Sequence, residues 1–327
     1  MSMEIKEKIV FLYNEASVPD QIIEAAKQQT PAGFELIFCE TKTPSSQRRT
    51  YVSEADYFML YTVGFDDVDI AKKAKLMQIL SAGYDRLDVS GLRAAGIPLA
   101  TNGGANAPTV AEHAILLILS LFRKLPKHHM SLKEGIWLGH QEVLSLYELR
   151  GKQVGIIGFG KIGQEVARMV NGFLANVVYY DVERAGLELE AGLNAKYVTL
   201  NELITESDVI TIHTPLTEGS RHLINSNTLG LMKPTAILIN TARGGAVVEA
   251  DLIEALKEGI IAGAGLDVFE NEPLLDSPLL KMENVVVTPH TAGSTIDTWW
   301  RRLQFAFDNI QRVSRGEKPL YVVEAKP

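Results

Sequence analysis

Short apolar runs alternate with amphipathic stretches along the second half of the chain, from Gly151 onward. The runs are near-continuous and rich in β-branched residues, which is typical of strands buried on both faces. The predicted strands are Val154–Ile157, Asn176–Tyr180, Val209–Ile212, Ala236–Ile239, Ile261–Asp267 and Val285–Thr288. Helical spacing between them predicts helices over Lys161–Val170, Leu200–Glu206 and Glu249–Glu258. This alternation indicates a parallel sheet covered by helices on both sides.

The first hundred residues repeat the alternation more loosely. The predicted strands there are Ile9–Leu12, Glu35–Cys39, Tyr57–Tyr61, Leu76–Ser81 and Pro98–Ala100, with helices near Pro19–Gln29 and Asp66–Lys75. A buried helix is predicted from near Thr109 to Lys124. A last amphipathic stretch, Trp299–Ser314, is expected to cross back and pack on the N-terminal half, because its apolar face needs a partner. We therefore expect an α/β protein with two doubly wound parallel-sheet domains.

Residues 154–163 read VGIIGFGKIG, in which an apolar run breaks into glycines at Gly158, Gly160 and Gly163. In a dinucleotide-binding turn these glycines permit the tight turn, the approach of the backbone to a pyrophosphate, and close helix–strand packing. The next predicted strand ends in Asp181, where an acid accepts hydrogen bonds from the adenosine ribose. The alternative is an ordinary strand–turn–helix unit whose glycines serve packing only.

Asp181 also bears on the choice of cofactor. A carboxylate at this position repels a 2′-phosphate, so the sequence favours NAD over NADP. Arg184 lies three residues further on and keeps NADP open as an alternative.

Polar residues follow three of the predicted strands directly. Arg243, Glu272 and His290 each come after a different strand, and Asp267 ends the strand before Glu272. Ligands of open parallel sheets bind outside the carboxyl ends of the strands, so these side chains are expected to meet at one edge. Each of them alone could have a purely structural role: Arg243 as a helix cap, Glu272 as a solvent-exposed loop acid, and His290 as a hydrogen-bonded histidine at a strand end. Their occurrence after three strands of one sheet favours a functional site.

Reduction of a 2-oxo acid needs a hydride and a proton for the carbonyl oxygen. Histidine suits proton exchange at neutral pH, and a neighbouring carboxylate such as Glu272 orients the imidazole of His290 and stabilises its protonated form. An arginine such as Arg243 binds the substrate carboxylate through two parallel hydrogen bonds. Asp267 is expected at the nicotinamide end of the cofactor rather than in acid–base chemistry.

The composition argues against several classes of protein, namely those that bind nucleic acids, membranes or metals. The 327 residues carry a net charge of −8, which argues against a nucleic-acid partner or an anionic membrane surface. The single cysteine, Cys39, excludes a disulfide framework, and neither a signal peptide nor a membrane span is evident, so we expect a soluble, cytoplasmic protein. The seven histidines show no ligand spacing, so no metal site is expected; His213 is expected to line the cofactor cleft or to be structural.

The chain resembles the D-2-hydroxyacid dehydrogenases from about Leu80 onward. The resemblance rests on segments 82–85 (AGYD), 110–113 (VAEH), 148–152 (ELRGK), the glycine turn, 213–217 (HTPLT), 240–245 (NTARGG), 262–273 and Pro289-His290. It implies a Rossmann NAD-binding domain, residues 103–294, inserted into a flavodoxin-like substrate domain formed by residues 1–102 and 295–327.

The resemblance also implies roles for individual residues. Arg243, Glu272 and His290 occupy the catalytic positions. Arg243 and His290 also bind the substrate, together with the loop Ser81, Ala82 and Gly83, whose backbone N–H groups help to hold its carboxylate. The residues implied for NAD binding are Gly158, Gly160, Lys161, Ile162, Gly163, Asp181, His213, Pro215, Thr241, Ala242, Asp267 and Gly293. A homodimer is expected, with the segment from Ala105 to about Arg150 swapped across the partner. Trp137 is expected either to reach the partner's active site or to anchor the dimer core.

The substrate expected from these features is a small 2-oxo acid such as glyoxylate, hydroxypyruvate or pyruvate, or its D-2-hydroxy acid. Formate dehydrogenases of the superfamily carry Gln where this chain has Glu272, and phosphite dehydrogenases carry a lysine where it has Ser81-Ala82. A phosphorylated substrate would need a basic residue that the loop Tyr61–Gly64 lacks. The alternative from another class is an NAD-sensing protein-interaction protein, since carboxyl-terminal-binding corepressors share the fold and the three residues.

Overall fold

The structure is a computed structural model and describes residues 6–324. The chain divides into two compact units, one formed by the residues up to Asn106 together with those from Ser294 on, the other by Ala107–Gly293. Each unit has its own parallel sheet. In the described part of the chain, no helix combines the length and the apolar character that a membrane crossing requires.

The strands, in chain order, are β1 (Glu7–Tyr13), β2 (Phe34–Glu40), β3 (Tyr57–Tyr61), β4 (Leu76–Ile79), β5 (Leu99–Ala100), β6 (Gln153–Ile157), β7 (Asn176–Tyr180), β8 (Ala195–Tyr197), β9 (Val209–Ile212), β10 (Ile237–Asn240), β11 (Gly263–Leu266) and β12 (Val285–Val287). The helices are α1 (Asp20–Gln29), α2 (Ser45–Glu54), α3 (Val89–Ala94), α4 (Ala107–Phe122), α5 (Leu125–Lys133), α6 (Lys161–Gly172), α7 (Leu187–Gly192), α8 (Leu200–Glu206), α9 (Ser226–Leu229), α10 (Glu249–Lys257) and α11 (Ile296–Ser314).

The discontinuous unit carries a five-stranded sheet in the order β2-β1-β3-β4-β5, with every neighbouring pair parallel. This is the flavodoxin-like strand order. One face is covered by α11, whose Leu303, Phe307 and Ile310 are buried in the same cluster as Ile9 and Phe11 of β1. The predicted return of the last amphipathic stretch is therefore confirmed.

The continuous unit carries a seven-stranded parallel sheet in the order β12-β11-β10-β9-β6-β7-β8. Counted from β6, the order is the Rossmann arrangement 3-2-1-4-5-6 with one further strand. The direction of winding reverses between β6 and β9, and the loops after these two strands flank the crevice in which such sheets bind dinucleotides. The predicted α/β class with doubly wound parallel sheets is confirmed.

Most predicted strands are present within one or two residues of their predicted ends, because their apolar runs are buried in the sheets. The prediction of a helix over Asp66–Lys75 is wrong. The segment forms separate turns, with Ile70 N–H bonded to the Asp67 carbonyl and Ala74 N–H to the Ala71 carbonyl. Its Phe65 and Ala71 are buried in the core, and this packing overrides the helical spacing.

The sequence analysis also omitted α2, α3, α5, α7, α9 and β8. Helix α2 has a single buried residue, Val52, so its pattern lacks the apolar stripe by which helices are recognised. The buried helix predicted to end near Lys124 does so at Phe122, and α5 starts almost directly after it. Strand β8 has three residues, which is too short to produce an alternation.

Candidate active site

The glycine turn after β6 has the shape that a dinucleotide requires. Gly158 has φ +92°, and a Cβ there would lie 2.7 Å from the backbone of His213 and Thr214. A Cβ on Gly163 would overlap the carbonyl oxygen of Gly158. A Cβ on Gly160 would instead meet nothing within 4 Å, which leaves open space in front of the α6 N-terminus. That space and the free N–H groups of the helix fit a pyrophosphate.

Asp181 follows β7 and connects this strand to the turn. Its Oδ2 accepts a hydrogen bond of 2.7 Å from the backbone N–H of Phe159. Lys161 and Ile162 are the first two residues of α6. The carboxylate thus stands beside the open space, where it fits the hydroxyls of an adenosine ribose.

His213 follows β9 and lies under the glycine turn. Its backbone N–H donates to the carbonyl of Ile157, and its Nε2 is 2.8 Å from Oγ1 of Thr211. Nδ1 is buried without a hydrogen-bond partner. Burial lowers the pKa of His213 from 6.5 to about 3, so the ring is neutral at physiological pH.

His290 and Glu272 form a hydrogen-bonded pair. Nδ1 of His290 is 2.7 Å from Oε2 of Glu272, and Oε1 of Glu272 accepts a bond of 3.1 Å from the backbone N–H of Phe269. Burial raises the pKa of Glu272, but His290, the Phe269 N–H and the positive charge of Arg243 outweigh this and hold the pKa below its ordinary value. The imidazole is half exposed, so its Nε2 is the ring nitrogen available for proton exchange.

The loop that carries His290 is held by Asp267. The buried carboxylate accepts bonds from the Thr288 hydroxyl at 2.6 Å and from the backbone N–H groups of Thr291 and Ala292 at 2.8 and 2.9 Å. His113 Nε2 is 2.9 Å from Thr288 Oγ1. Because the threonine hydrogen goes to the carboxylate, His113 must donate from Nε2. Asp267 thus accepts three hydrogen bonds that fix the loop.

Arg243 follows β10 on a loop shaped by Asn240. The Asn240 side chain donates to the Arg243 carbonyl at 2.9 Å and accepts from the Ala242 N–H at 3.1 Å. A Cβ on Gly244 would overlap the carbonyl of Phe269, so the arginine loop rests directly on the segment that leads to Glu272. The structure thereby brings Arg243, Glu272 and His290 to one edge of the sheet.

The remaining predicted residues lie as follows. Thr241 and Ala242 separate Asn240 from Arg243, the Pro215 carbonyl accepts a bond from Ser220, and Gly293 ends the continuous unit. Ser81, Ala82 and Gly83 belong to the discontinuous unit, where they follow β4 and the Ser81 hydroxyl donates to the Gly83 carbonyl at 2.8 Å. Across residues 6–324, no group of histidine, cysteine and acidic side chains could hold a metal ion.

The sequence analysis missed residues that act through others. Asn240, Gly244 and Thr288 shape the loops, and no local motif distinguishes them from ordinary strand-end residues. It also missed Arg86, which donates to the Thr62 carbonyl at 3.3 Å. The segment Tyr61–Gly64 has no basic residue of its own, but a guanidinium 24 residues downstream contacts it.

Residues 115–292 match the family model described as D-isomer specific 2-hydroxyacid dehydrogenase, NAD binding domain. This chain belongs to the D-isomer specific 2-hydroxyacid dehydrogenase family. A glyoxylate reductase of Korarchaeum cryptofilum is 37% identical over 311 residues, which are 92% of this chain and 93% of that protein. A hydroxypyruvate reductase of Thermotoga maritima is 41% identical over 235 residues, covering 71% and 75% of the two chains.

Among solved structures, the holo form of D-mandelate dehydrogenase from Rhodotorula graminis superimposes with a TM-score of 0.84 at 28% identity, over 98% of both chains. The predictions of this dehydrogenase family, of its fold and of NAD as the cofactor are therefore confirmed. The relatives are named as reductases and dehydrogenases, which does not favour an interaction protein.

Proposed function

We propose that this dehydrogenase reduces a small 2-oxo acid to the D-2-hydroxy acid, with His290 as the proton donor. The observation that carries the proposal is the His290–Glu272 hydrogen bond on the sheet edge that also bears Arg243. Bound NADH supplies the hydride for the carbonyl carbon. His290 supplies the proton for the carbonyl oxygen, and the reverse reaction returns both.

Each of the three side chains has one task. His290 releases the proton from Nε2, because Nδ1 is occupied by Glu272. Glu272, ionised at neutral pH, orients the imidazole and stabilises its protonated form. Arg243 binds the substrate carboxylate through parallel N–H donors, which also fixes the face of the carbonyl.

The cofactor belongs, in this proposal, to the continuous unit. The glycine turn and the α6 N-terminus, with Lys161 and Ile162, would hold the pyrophosphate, and Asp181 the adenosine ribose. The loops containing His213, Pro215, Thr241, Ala242, Asp267 and Gly293 would line the nicotinamide half. The loop Ser81–Gly83 of the discontinuous unit would bind the substrate carboxylate with its backbone N–H groups.

Glyoxylate and hydroxypyruvate are the proposed substrates. Relatives at 37% and 41% identity carry these substrates in their names. The segment Tyr61–Gly64 has no basic residue, which favours a substrate whose side chain is uncharged. Because Arg86 contacts Thr62 of this segment, a substrate with a phosphorylated side chain is the alternative to test.

The experiment is a rate comparison over a panel of 2-oxo acids with NADH and with NADPH. We expect glyoxylate and hydroxypyruvate to exceed phosphohydroxypyruvate in kcat/KM, and Arg86→Ala to leave their rates unchanged. A strong preference for phosphohydroxypyruvate that Arg86→Ala abolishes would overturn the substrate assignment. Tight NAD binding without turnover of any 2-oxo acid would instead favour the interaction protein.

We further propose a cytoplasmic homodimer that buries the segment around α5. Several large apolar side chains are exposed there, including Trp137 at 78% and Leu144 at 95%, together with Leu132 and Ile136. Apolar surface of this extent is typical of an interface. Leu144→Glu should yield monomers in light scattering, whereas Leu187→Glu, an exposed leucine on α7, should not. Unchanged dimers in Leu144→Glu, or monomers in the wild type, would contradict the assignment.

A further inference from the structure

Arg184 lies three residues after Asp181, in the region where an NADP 2′-phosphate would find its cation. Its side chain is exposed, but the Nε–Nη2 edge of its guanidinium is engaged. Nε donates to Oε1 of Glu190 at 2.8 Å, and Nη2 donates to Oε2 of the same carboxylate at 2.9 Å. The guanidinium also stands over the ring of Tyr197, with its central carbon 5.6 Å from the ring centroid. The arginine is therefore held by a two-point pair and an aromatic surface.

The carboxylate that engages Arg184 is itself fixed. Glu190 lies on α7, is buried, and accepts a bond of 2.7 Å from the hydroxyl of Tyr179. Tyr179 is fully buried in β7 and stacks on Phe159 of the glycine turn at a centroid distance of 3.8 Å. Its hydroxyl also accepts from the Ala185 N–H at 2.9 Å, in the segment that contains Arg184. The hydrogen bonds from Arg184 and Tyr179 lower the pKa of Glu190 to about 2, so it is ionised throughout the physiological range.

We propose that Glu190 determines cofactor choice by holding Arg184 away from a 2′-phosphate. The charge of Arg184 is then paired with Glu190 instead of a 2′-phosphate, Asp181 binds the adenosine ribose, and NAD is bound in preference to NADP. A 2′-phosphate that drew the guanidinium toward the ribose, or that paired with its Nε–Nη2 edge, would have to break both hydrogen bonds to Glu190. The inference rests on the assignment of Asp181 to the adenosine ribose in the proposed function. It adds a residue, on another helix, whose effect on the cofactor passes through Arg184.

The test uses the adenosine half of the cofactor alone, so that it does not depend on turnover. Calorimetry would give the affinities of AMP and of adenosine 2′,5′-bisphosphate for the full-length protein. We expect Glu190→Gln to shift the affinity ratio toward the bisphosphate by about five- to tenfold, a modest value because the arginine is exposed. The double variant Arg184→Ala/Glu190→Gln should return to within about twofold of the wild-type ratio, since the gain comes from the freed arginine.

Two further variants serve as controls. Tyr179→Phe removes a hydrogen bond from Glu190 but frees no arginine, so the affinity ratio should stay at the wild-type value. Circular dichroism and thermal melting would check that Glu190→Gln folds. If it does not, Glu190→Asp provides the second test, because the shorter side chain cannot reach both donors; it should shift the ratio in the same direction by a smaller factor.

The outcomes separate this inference from the proposed function. An unmoved ratio in a folded Glu190→Gln variant that still binds AMP would overturn the role of Glu190 alone. The role of Glu190 would also be overturned if the shift of the affinity ratio toward the bisphosphate persists in the double variant. It would be overturned too if the single variant Arg184→Ala weakens binding of AMP and of the bisphosphate equally, because Arg184 would then be an adenine contact. Failure of the wild type to bind AMP would overturn the assignment of Asp181 and the role of Glu190 with it.

Discussion

Two histidines follow strands of the same sheet, His213 after β9 and His290 after β12, and their surroundings are opposite. His213 is buried, has a threonine hydroxyl at Nε2 and an unsatisfied Nδ1, and its pKa falls to about 3. His290 is half exposed and its Nδ1 is bonded to a carboxylate. A place at the carboxyl end of a strand is therefore not enough for acid–base chemistry. Exposure and a charged partner make the difference.

The most direct test of this difference is to replace the imidazole of His290 and that of His213 in turn. We expect His290→Gln to lower kcat by a factor on the order of 10²–10⁴, because the general acid is lost. NADH affinity, measured by fluorescence titration, should stay unchanged. His213→Gln is the matched control and should keep kcat within about fivefold of the wild type, a margin far below the effect of a general acid. A kcat for His290→Gln within tenfold of the wild type would contradict the assignment.

The carboxylate partner can be tested separately. Glu272→Gln keeps an acceptor for the imidazole but removes the negative charge, so we expect kcat to fall about 10- to 100-fold with little change in KM. Glu270→Gln, two residues earlier on the same loop, is the control and should be near wild type. Its carboxylate lies 3.4 Å from His222 instead of His290. Equal losses in the two variants would mean that only the fold of the loop is affected.

The burial of His213 leads us to predict how the free energy of unfolding depends on pH. Folded His213 stays neutral down to about pH 3, while the unfolded chain protonates it below about pH 6.5. The unfolded state thus binds more protons in this window, and the free energy of unfolding falls as the pH falls, by up to about 1.4 kcal/mol per pH unit. Urea unfolding at pH 7 and pH 5 should show a smaller loss for His213→Gln than for the wild type. The exposed His129→Gln should behave like the wild type.

The smallest effects concern the two threonines. Thr288→Val removes the hydroxyl between His113 and Asp267, and we expect kcat to fall about three- to tenfold because the His290 loop is held less firmly. Thr211→Val removes the partner of His213 and should lower stability by about 1 kcal/mol without changing kcat. Kinetics and urea unfolding of both variants would show whether the effects separate. A similar kcat loss in both would remove the distinction between the two histidine sites.

Much of the fold was predictable because strands such as Val209–Ile212 are continuous apolar runs, and burial of such runs leaves few alternatives. Helix α2 could not be predicted in the same way, because its sequence is mainly polar and Val52 is its one buried residue. The helix predicted over Asp66–Lys75 was the opposite error, since a helix was predicted where none forms. Its apolar spacing is helical, but burial of Phe65 and Ala71 holds it in turns.

Residue type and strand-end position were sufficient to predict that Arg243, Glu272 and His290 share one sheet edge, while their catalytic roles stay a prediction. Asp267 shows the limit of that reasoning. Its place at the nicotinamide end of the cofactor stays a prediction, but the sequence did not reveal that its carboxylate also contacts Thr288 and the backbone of the His290 loop. Which partner a buried carboxylate takes depends on distances between loops, and these are set by the whole sheet.

The division of the chain has a consequence for its biosynthesis. Helix α11 covers Ile9 and Phe11 of the first strand, yet it leaves the ribosome after the entire Ala107–Gly293 unit. The central unit is continuous and can complete its core while the earlier residues still lack their covering helix. During that interval only α1 packs on this face of the five-stranded sheet, the part that α11 covers stays exposed, and a nascent chain stalled before Ile296 should be a substrate for chaperones.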